Sequence, residues 1–314
     1  MNIVIMESLG ISQEELSARK APFEAMGHTF RDYAKTTDVP TLISEAEDAD
    51  AIILANMPLP AEVISACPKL KFIDIAFTGV DHVAMGAARE KGITASNASG
   101  YSNEAVAELG VGLVLGLLRN IPQVEKRCRD GATKDGLVGC ELKGKTVGII
   151  GLGRIGRRSA ELYHAFGCKI LASSRAAHPD CPAYVREVPR EELLKSSDIV
   201  ILHCPLNDAT RGMIDAAALA VMKPSAVLVN LARGPVVVSA DLADALNSGV
   251  IAGAGIDVFD VEPPLPPDEP LLHAKNTIVT PHVAFATKES MSLRAEIVFD
   301  NLRAWLEGKP INVV

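Results

Sequence analysis

Short, mostly apolar runs alternate with helical-period stretches along almost the whole chain. The first runs fall at residues 3–5, 51–55, 72–76 and 93–95, with amphipathic stretches such as 13–26 and 61–66 between them. A strand covered on both faces reads as a continuous apolar run because neither face meets water, and the intervening helices supply the covers. The pattern therefore predicts parallel sheets sandwiched by helices, with a first α/β unit over roughly the first 99 residues. A helix is predicted over 103–119, with Ser102 as its N-cap and Glu104 and Glu108 near its positive end. Its middle, 109–118, is apolar nearly all round, which predicts burial between elements and a connection into a second domain.

The second domain is predicted to hold strands at 145–150, 168–173, 198–203, 226–231, 253–258 and 277–280. Helices fill the gaps, one of them over 239–248 and stopped by Gly249. A last helix over 288–306 places Met291, Leu293, Ile297, Val298, Leu302, Trp305 and Leu306 at near-helical spacing. It is expected to pack back on the first domain. No internal repeat is visible, and the proline-rich stretch 263–270 reads as a short loop.

Composition narrows this picture. A chain of 314 residues suits two domains, and 48% hydrophobic with 22% charged residues supports packed cores over disorder. A net charge of -8 argues against nucleic acid and against a polybasic membrane surface as partners. No apolar run reaches the roughly 18 residues needed to span a bilayer. The start, MNIVIMESLG, lacks the basic and long apolar regions of a secretory signal. Cys67, Cys128, Cys140, Cys168, Cys181 and Cys204 show neither a C-x-x-C pair nor zinc-site spacing. They read as reduced thiols of a cytoplasmic protein that holds no metal.

Chemistry enters at Gly151-Leu152-Gly153-Arg154-Ile155-Gly156, between a predicted strand and a predicted helix. In that context G-x-G-x-x-G predicts a dinucleotide site: the first glycine makes the turn, the second admits the pyrophosphate, and the third lets helix and strand pack. The pyrophosphate then lies on free N–H groups at the helix N-terminus. About 20 residues on, an Asp or Glu would hold the ribose of NAD. Here the strand runs into Ser174-Arg175 with no carboxylate, so NADP(H) is favoured and NAD(H) remains possible.

Three further segments put titratable groups at predicted strand ends of the same domain: 230–234 (N-L-A-R-G), 257–263 (D-V-F-D-V-E-P) and 280–284 (T-P-H-V-A). Ligands of open α/β sheets bind beyond the carboxyl ends of the strands, so Arg233, Glu262 and His282 are candidates for one site. With these residues the chain resembles, over essentially its whole length, the D-isomer-specific 2-hydroxyacid dehydrogenases. The glycine loop, N-x-x-R-G, D-V-F-x-x-E-P and P-H-x-A all occur in that family's order.

The resemblance implies that Arg233 binds the substrate carboxylate and carbonyl, that His282 is the acid/base, and that Glu262 is its partner. It implies that Asp257 contacts the nicotinamide carboxamide and that Leu231 and Ala232 line the cofactor. Gly151, Gly153, Arg154, Ile155, Gly156, Ser174, Arg175, Cys204, Pro205 and Ala284, together with Arg233 and His282, complete the expected cofactor contacts. Thr78 and Gly79 match the family's carboxylate-binding turn, and the loop 56–60, with Asn56, is expected to face the substrate side chain. The implied fold is two doubly wound parallel-sheet domains. One is a Rossmann cofactor domain over 100–285; the other is a flavodoxin-like substrate domain made of 1–99 plus 286–314. The family is typically dimeric through the cofactor domain, so a homodimer is expected.

The chemistry is consistent with these roles. Hydride addition to a keto carbon builds negative charge on oxygen; a protonated imidazole can neutralise it, and a nearby carboxylate stabilises that imidazolium. An arginine fork fits a carboxylate and polarises a carbonyl. The segments 280–285 and 308–314 look like the glycerate dehydrogenase/hydroxypyruvate reductase branch, which implies a small 2-keto acid reduced to its D-2-hydroxy acid. The departure from the family is Ser174, where most members have Asp. Two alternatives stand: a dehydrogenase for a larger 2-keto acid, or a nicotinamide-sensing protein of the same fold without catalysis. His203 and Cys204 read as packing residues or neighbours of the adenosine. His28, His82, His164, His178 and His273 read as structural or surface.

Overall fold

The computed structural model describes residues 1–175 and 180–314, so His178 lies outside the described residues. The chain forms two compact units, one made of Met1–Ser102 with Ala286–Val314 and the other of Asn103–Phe285. In the first unit the strands are β1 (Asn2–Ile5), β2 (Thr29–Asp32), β3 (Ala51–Leu54), β4 (Phe72–Ile75) and β5 (Thr94–Asn97). Helices α1 (Gln13–Ala25), α2 (Val39–Ala46), α3 (Ala61–Ala66) and α4 (Met85–Glu90) connect them. All pairings are parallel, in the order β2-β1-β3-β4-β5. This is the flavodoxin-like order, with its direction of growth reversing between β1 and β3. The apolar runs of β1, β3 and β4 are buried, as continuous hydrophobicity demands. The edge strand β2 (TFRD) carries no such run. Phe30 is its apolar anchor, meeting Phe23 edge-on at 6.1 Å, while Asp32 and Arg31 pair with Lys20 and Asp48.

The second unit opens with α5 (Asn103–Leu118) and α6 (Ile121–Arg129). Then follow β6 (Thr146–Ile150), α7 (Arg154–Ala165), β7 (Lys169–Ser173), β8 (Val185–Glu187), α8 (Arg190–Ser196) and β9 (Ile199–Leu202). Next come α9 (Ala216–Ala220), β10 (Val227–Asn230), a 3₁₀ turn (Gly234–Val236), α10 (Ser239–Ser248), β11 (Gly253–Ile256), α11 (Pro270–His273) and β12 (Thr277–Val279). The sheet order is β12-β11-β10-β9-β6-β7-β8, again all parallel. Counted from β6 as the first strand, this is the Rossmann order 3-2-1-4-5-6 with one strand added. Parallel strands bring all their carboxyl ends to one edge, so Gly151, Ser174, His203, Leu231, Asp257 and Thr280 lie along it. The reversal falls between β6 and β9.

Helix ends follow local chemistry. α10 stops at Gly249 (φ 77°), whose N–H returns to Ala245 and Leu246 carbonyls. α5 packs on α7 and over β10, β11 and β12, yet Val111, Leu115, Leu117 and Leu118 on it are only partly buried. Full burial, expected from its all-round hydrophobicity, is not reached: α7 and the sheet together cover only part of its circumference.

The returning helix α12 (Lys288–Leu306) belongs to the first unit and is started by a Thr287/Ser290 capping box. Phe299 joins Phe23 and Phe30, and Trp305 stacks on Phe72 at 4.8 Å. Asp74, buried within the apolar run of β4, accepts from Asn301 Nδ2 at 3.0 Å. Burial raises the Asp74 carboxyl well above the usual carboxylate range.

Candidate active site

The glycine loop sits where the larger sheet reverses. Gly151 leaves β6 at φ 100°, and a Cβ there would lie 2.7 Å from Cys204 N and the His203 carbonyl carbon. A Cβ at Gly156 would lie 2.0 Å from the Gly151 oxygen. These two positions are glycine because the chain itself crowds them. Gly153 differs: a Cβ there would meet nothing within 4 Å. Gly153 is also the N-cap of α7 and makes no side-chain cap. An uncapped helix N-terminus beside open space at a switch point fits a pyrophosphate, which takes the N–H groups and the helix dipole together.

The other expected cofactor residues follow the same edge. Arg154 and Ile155 form the first turn of α7, and Ser174 and Arg175 leave β7, Ser174 half-buried and Arg175 exposed. Beyond β9, His203 Nε2 lies 2.8 Å from Ser159 Oγ, while its Nδ1 is buried with no partner. Burial pushes the His203 imidazole down to about 4 and the buried Cys204 thiol up to about 11. Pro205 is exposed.

The candidate acid/base residues lie at the ends of β10, β11 and β12. Asn230 fixes the loop after β10: its Nδ2 donates to the Arg233 carbonyl (3.0 Å) and its Oδ1 accepts from Ala232 N–H (3.1 Å). Gly234 permits the next loop to approach, since a Cβ there would sit 1.9 Å from Phe259 backbone atoms. Arg233 is half-buried, with Nη1 donating to the Ala232 carbonyl at 2.9 Å. Leu231 and Ala232 are buried beside it.

Asp257, fully buried, organises the segment after β12. Its carboxylate accepts from Thr280 Oγ1 (2.6 Å), Val283 N–H (2.8 Å) and Ala284 N–H (2.9 Å). Its carbonyl accepts from His282 N–H at 2.7 Å. Burial raises the Asp257 carboxyl, against those hydrogen bonds. The bonds hold His282 in a left-handed conformation (φ 54°), sparsely populated for a residue with a Cβ. His282 Nδ1 reaches both Glu262 oxygens, at 2.9 and 2.8 Å. The imidazole side chain is 9% exposed and the Glu262 side chain 48%. Phe285 meets the ring edge-on at 5.4 Å.

The structure thus pairs His282 with Glu262 and closes the Arg233 loop against the loop after β11. Sequence reasoning missed the supporting residues Asn230, Thr280 and Ser159. Asn230 stood inside N-x-x-R-G and Thr280 at the head of T-P-H-V-A as signals; Ser159 shows only once β9 is known to lie beside β6 and α7.

In the first unit, Thr78 and Gly79 follow β4, and Asn56 follows β3. The Thr78 carbonyl accepts from Asn97 Nδ2 at 2.8 Å, while Thr78 Oγ1 is buried without a hydrogen-bond partner. Asn56 Oδ1 accepts from Lys35 Nζ at 2.9 Å. Among the described residues no group of three His, Cys, Asp or Glu side chains can hold a metal ion. No single helix among them is long and apolar enough to cross a membrane.

A glycine loop at a switch point, with an imidazole–carboxylate pair and an arginine on the same sheet edge, defines a nicotinamide-dependent oxidoreductase. Residues 111–284 match the NAD-binding domain of the D-isomer specific 2-hydroxyacid dehydrogenases. A hydroxypyruvate reductase of Blautia hydrogenotrophica is 36% identical, over 100% of this chain and 99% of its own length. A glyoxylate reductase of Korarchaeum cryptofilum is 38% identical, over 87% of this chain and 85% of its own. Among solved structures, D-lactate dehydrogenase from Aquifex aeolicus, complexed with NAD and lactic acid, superposes with a TM-score of 0.88. It is 28% identical, over 98% of this chain and 96% of its own. The chain belongs to the D-isomer specific 2-hydroxyacid dehydrogenases.

Proposed function

We propose that this chain reduces a small 2-keto acid, of the size of hydroxypyruvate or glyoxylate, to the D-2-hydroxy acid, and that NADPH is preferred to NADH. The observation that carries the reading is the His282–Glu262 pair, bonded through Nδ1, on the same sheet edge as the open glycine loop. Relatives named hydroxypyruvate reductase and glyoxylate reductase support the substrate size.

The bound nicotinamide supplies a hydride to the keto carbon. His282 Nε2 gives its proton to the carbonyl oxygen, so that hydride and proton together make the alcohol. Glu262 orients the ring and stabilises its positive charge. Arg233 takes the substrate carboxylate and polarises the carbonyl, and the Thr78–Gly79 turn supplies further donors to the carboxylate. Asn56 faces the substituent beyond C2. Gly151, Gly153 and Gly156, with the first turn at Arg154 and Ile155, seat the pyrophosphate. Cys204 and Pro205 border the adenosine, and Leu231, Ala232, Asp257 and Ala284 border the nicotinamide. Ser174 and Arg175 favour a 2′-phosphate because neither of these two residues after β7 is a carboxylate that would repel it.

The family resemblance supports a homodimer built through this unit, to be checked by light scattering after size exclusion. Six free cysteines support a reducing, cytoplasmic setting. A panel of 2-keto acids assayed separately with NADH and NADPH tests the main reading. The highest kcat/KM is expected for two- and three-carbon acids with NADPH. Tight cofactor binding without turnover of any acid would instead favour a nicotinamide sensor.

A further inference from the structure

A carboxylate that takes no part in the acid/base chemistry sits at the end of β1. Glu7 is buried, and its Oε1 accepts the N–H groups of Ala55 (2.7 Å) and Met57 (2.8 Å), the two residues flanking Asn56. Its Oε2 lies 3.9 Å from Lys35 Nζ. The same ammonium donates to Asn56 Oδ1 at 2.9 Å. The carboxylate therefore fixes the backbone on either side of Asn56 while the ammonium holds its side chain. From α12, the buried Arg294 guanidinium donates to the Leu9 carbonyl at 2.6 Å, two residues beyond Glu7.

The location gives this grip meaning. The sheet order reverses between β1 and β3, and such a reversal is where open α/β sheets take ligands. Glu7 follows β1, and residues 55–57 follow β3. A buried carboxylate is costly unless fully engaged, and here its engagement is directed at an irregular loop with one polar side chain. Lysine has three donors and no acceptor, so the Asn56 amide must turn its oxygen to Lys35. What Asn56 then has left to offer a ligand is its Nδ2 donor.

We propose that Glu7 and Lys35 are positioning residues that lock Asn56 as a hydrogen-bond donor to the substrate's substituent beyond C2. The chain then prefers 2-keto acids carrying an oxygen acceptor there, such as hydroxypyruvate, to carbon-only analogues such as pyruvate. The inference rests on the reading of Asn56 as a substrate residue. A net neutral hydrogen bond corresponds to roughly tenfold in kcat/KM.

The test is the hydroxypyruvate-to-pyruvate ratio of kcat/KM in wild type, Asn56→Leu, Lys35→Met, Glu7→Gln and the Lys35→Met/Asn56→Leu double variant, with Tm measured for each. Asn56→Leu is expected to lower the ratio roughly tenfold, through KM rather than kcat. Lys35→Met should lower it similarly, and the double variant no further than Asn56→Leu, because both remove one contact. Glu7→Gln keeps an oxygen for the two N–H groups but turns an amide toward Lys35, so the ratio should fall with little change in Tm. A lowered ratio in Asn56→Leu with no change in Lys35→Met and Glu7→Gln overturns the positioning roles and leaves the Asn56 reading standing. An unchanged ratio in Asn56→Leu overturns both. Lys35 is a partly exposed side chain, so its variant decides the matter even where Glu7→Gln folds poorly.

Discussion

Two alanines placed three residues apart should separate folding from cofactor binding. In Gly156→Ala the new methyl would lie 2.0 Å from the Gly151 oxygen and 3.1 Å from its carbon. Both are backbone atoms, so helix and strand must part by more than an ångström. Overpacking of this kind costs about 1–3 kcal/mol, or roughly 3–10 °C in Tm for a domain of this size. In Gly153→Ala the methyl meets nothing within 4 Å, and φ −73°, ψ −166° suits any residue. Alanine as N-cap costs under about 1 kcal/mol, so Tm should move by no more than about 3 °C. That methyl nevertheless stands where a pyrophosphate must approach the backbone. Losing one charge-assisted hydrogen bond, about 1.5–3 kcal/mol, weakens cofactor binding roughly 10- to 100-fold. Thermal melts with and without NADPH, together with a fluorescence titration of NADPH, read both quantities. Wild-type cofactor affinity in Gly153→Ala, or wild-type stability in Gly156→Ala, would refute the reasoning.

The imidazole of His203, held at about 4 against an ordinary 6.5, lets the unfolded chain take a proton first. Its contribution is present above pH 6.5 and is lost as pH falls toward 4. The loss is about 3 kcal/mol at about 1.4 per pKa unit, so His203→Asn should flatten the fall in urea stability between pH 6.5 and 4. Asp257→Asn replaces an acceptor of the Val283 and Ala284 N–H groups by an amide; turnover should drop at least about tenfold, from about 1–3 kcal/mol per unsatisfied donor. Steady-state kinetics reads that drop, and unchanged kcat would remove Asp257 from the support of His282. Ser174→Asp should shift the kcat/KM preference from NADPH toward NADH, because a carboxylate there repels a 2′-phosphate; an unmoved ratio would place position 174 away from the ribose.

What could be read from the chain and what could not divide along physical lines. The buried strands announce themselves as apolar runs, and the glycine loop carries its own strand-before, helix-after context. The edge strands β2 (TFRD) and β8 (VRE) have one neighbour each and no apolar run, so pattern alone passes over them. Asp74 stands within an apolar run because its partner Asn301 lies 227 residues away. Glu7 reads as an ordinary acidic residue until β1 and β3 are known to be neighbours. Arg233, Glu262 and His282 were recognisable by type and order, but the Asp257 bonds that hold His282 in place depend on a register between β11 and β12 that no local signal encodes.

The proposed reduction depends above all on one proton leaving His282 Nε2 as the keto carbon takes its hydride. Pre-steady-state mixing of NADPH-loaded protein with hydroxypyruvate, followed by the loss of nicotinamide absorbance, measures that step in wild type and in His282→Ala. The variant should bind NADPH as wild type does and reduce the acid 10²–10⁴-fold more slowly, the range for a lost general acid. A rate near that of wild type would contradict it.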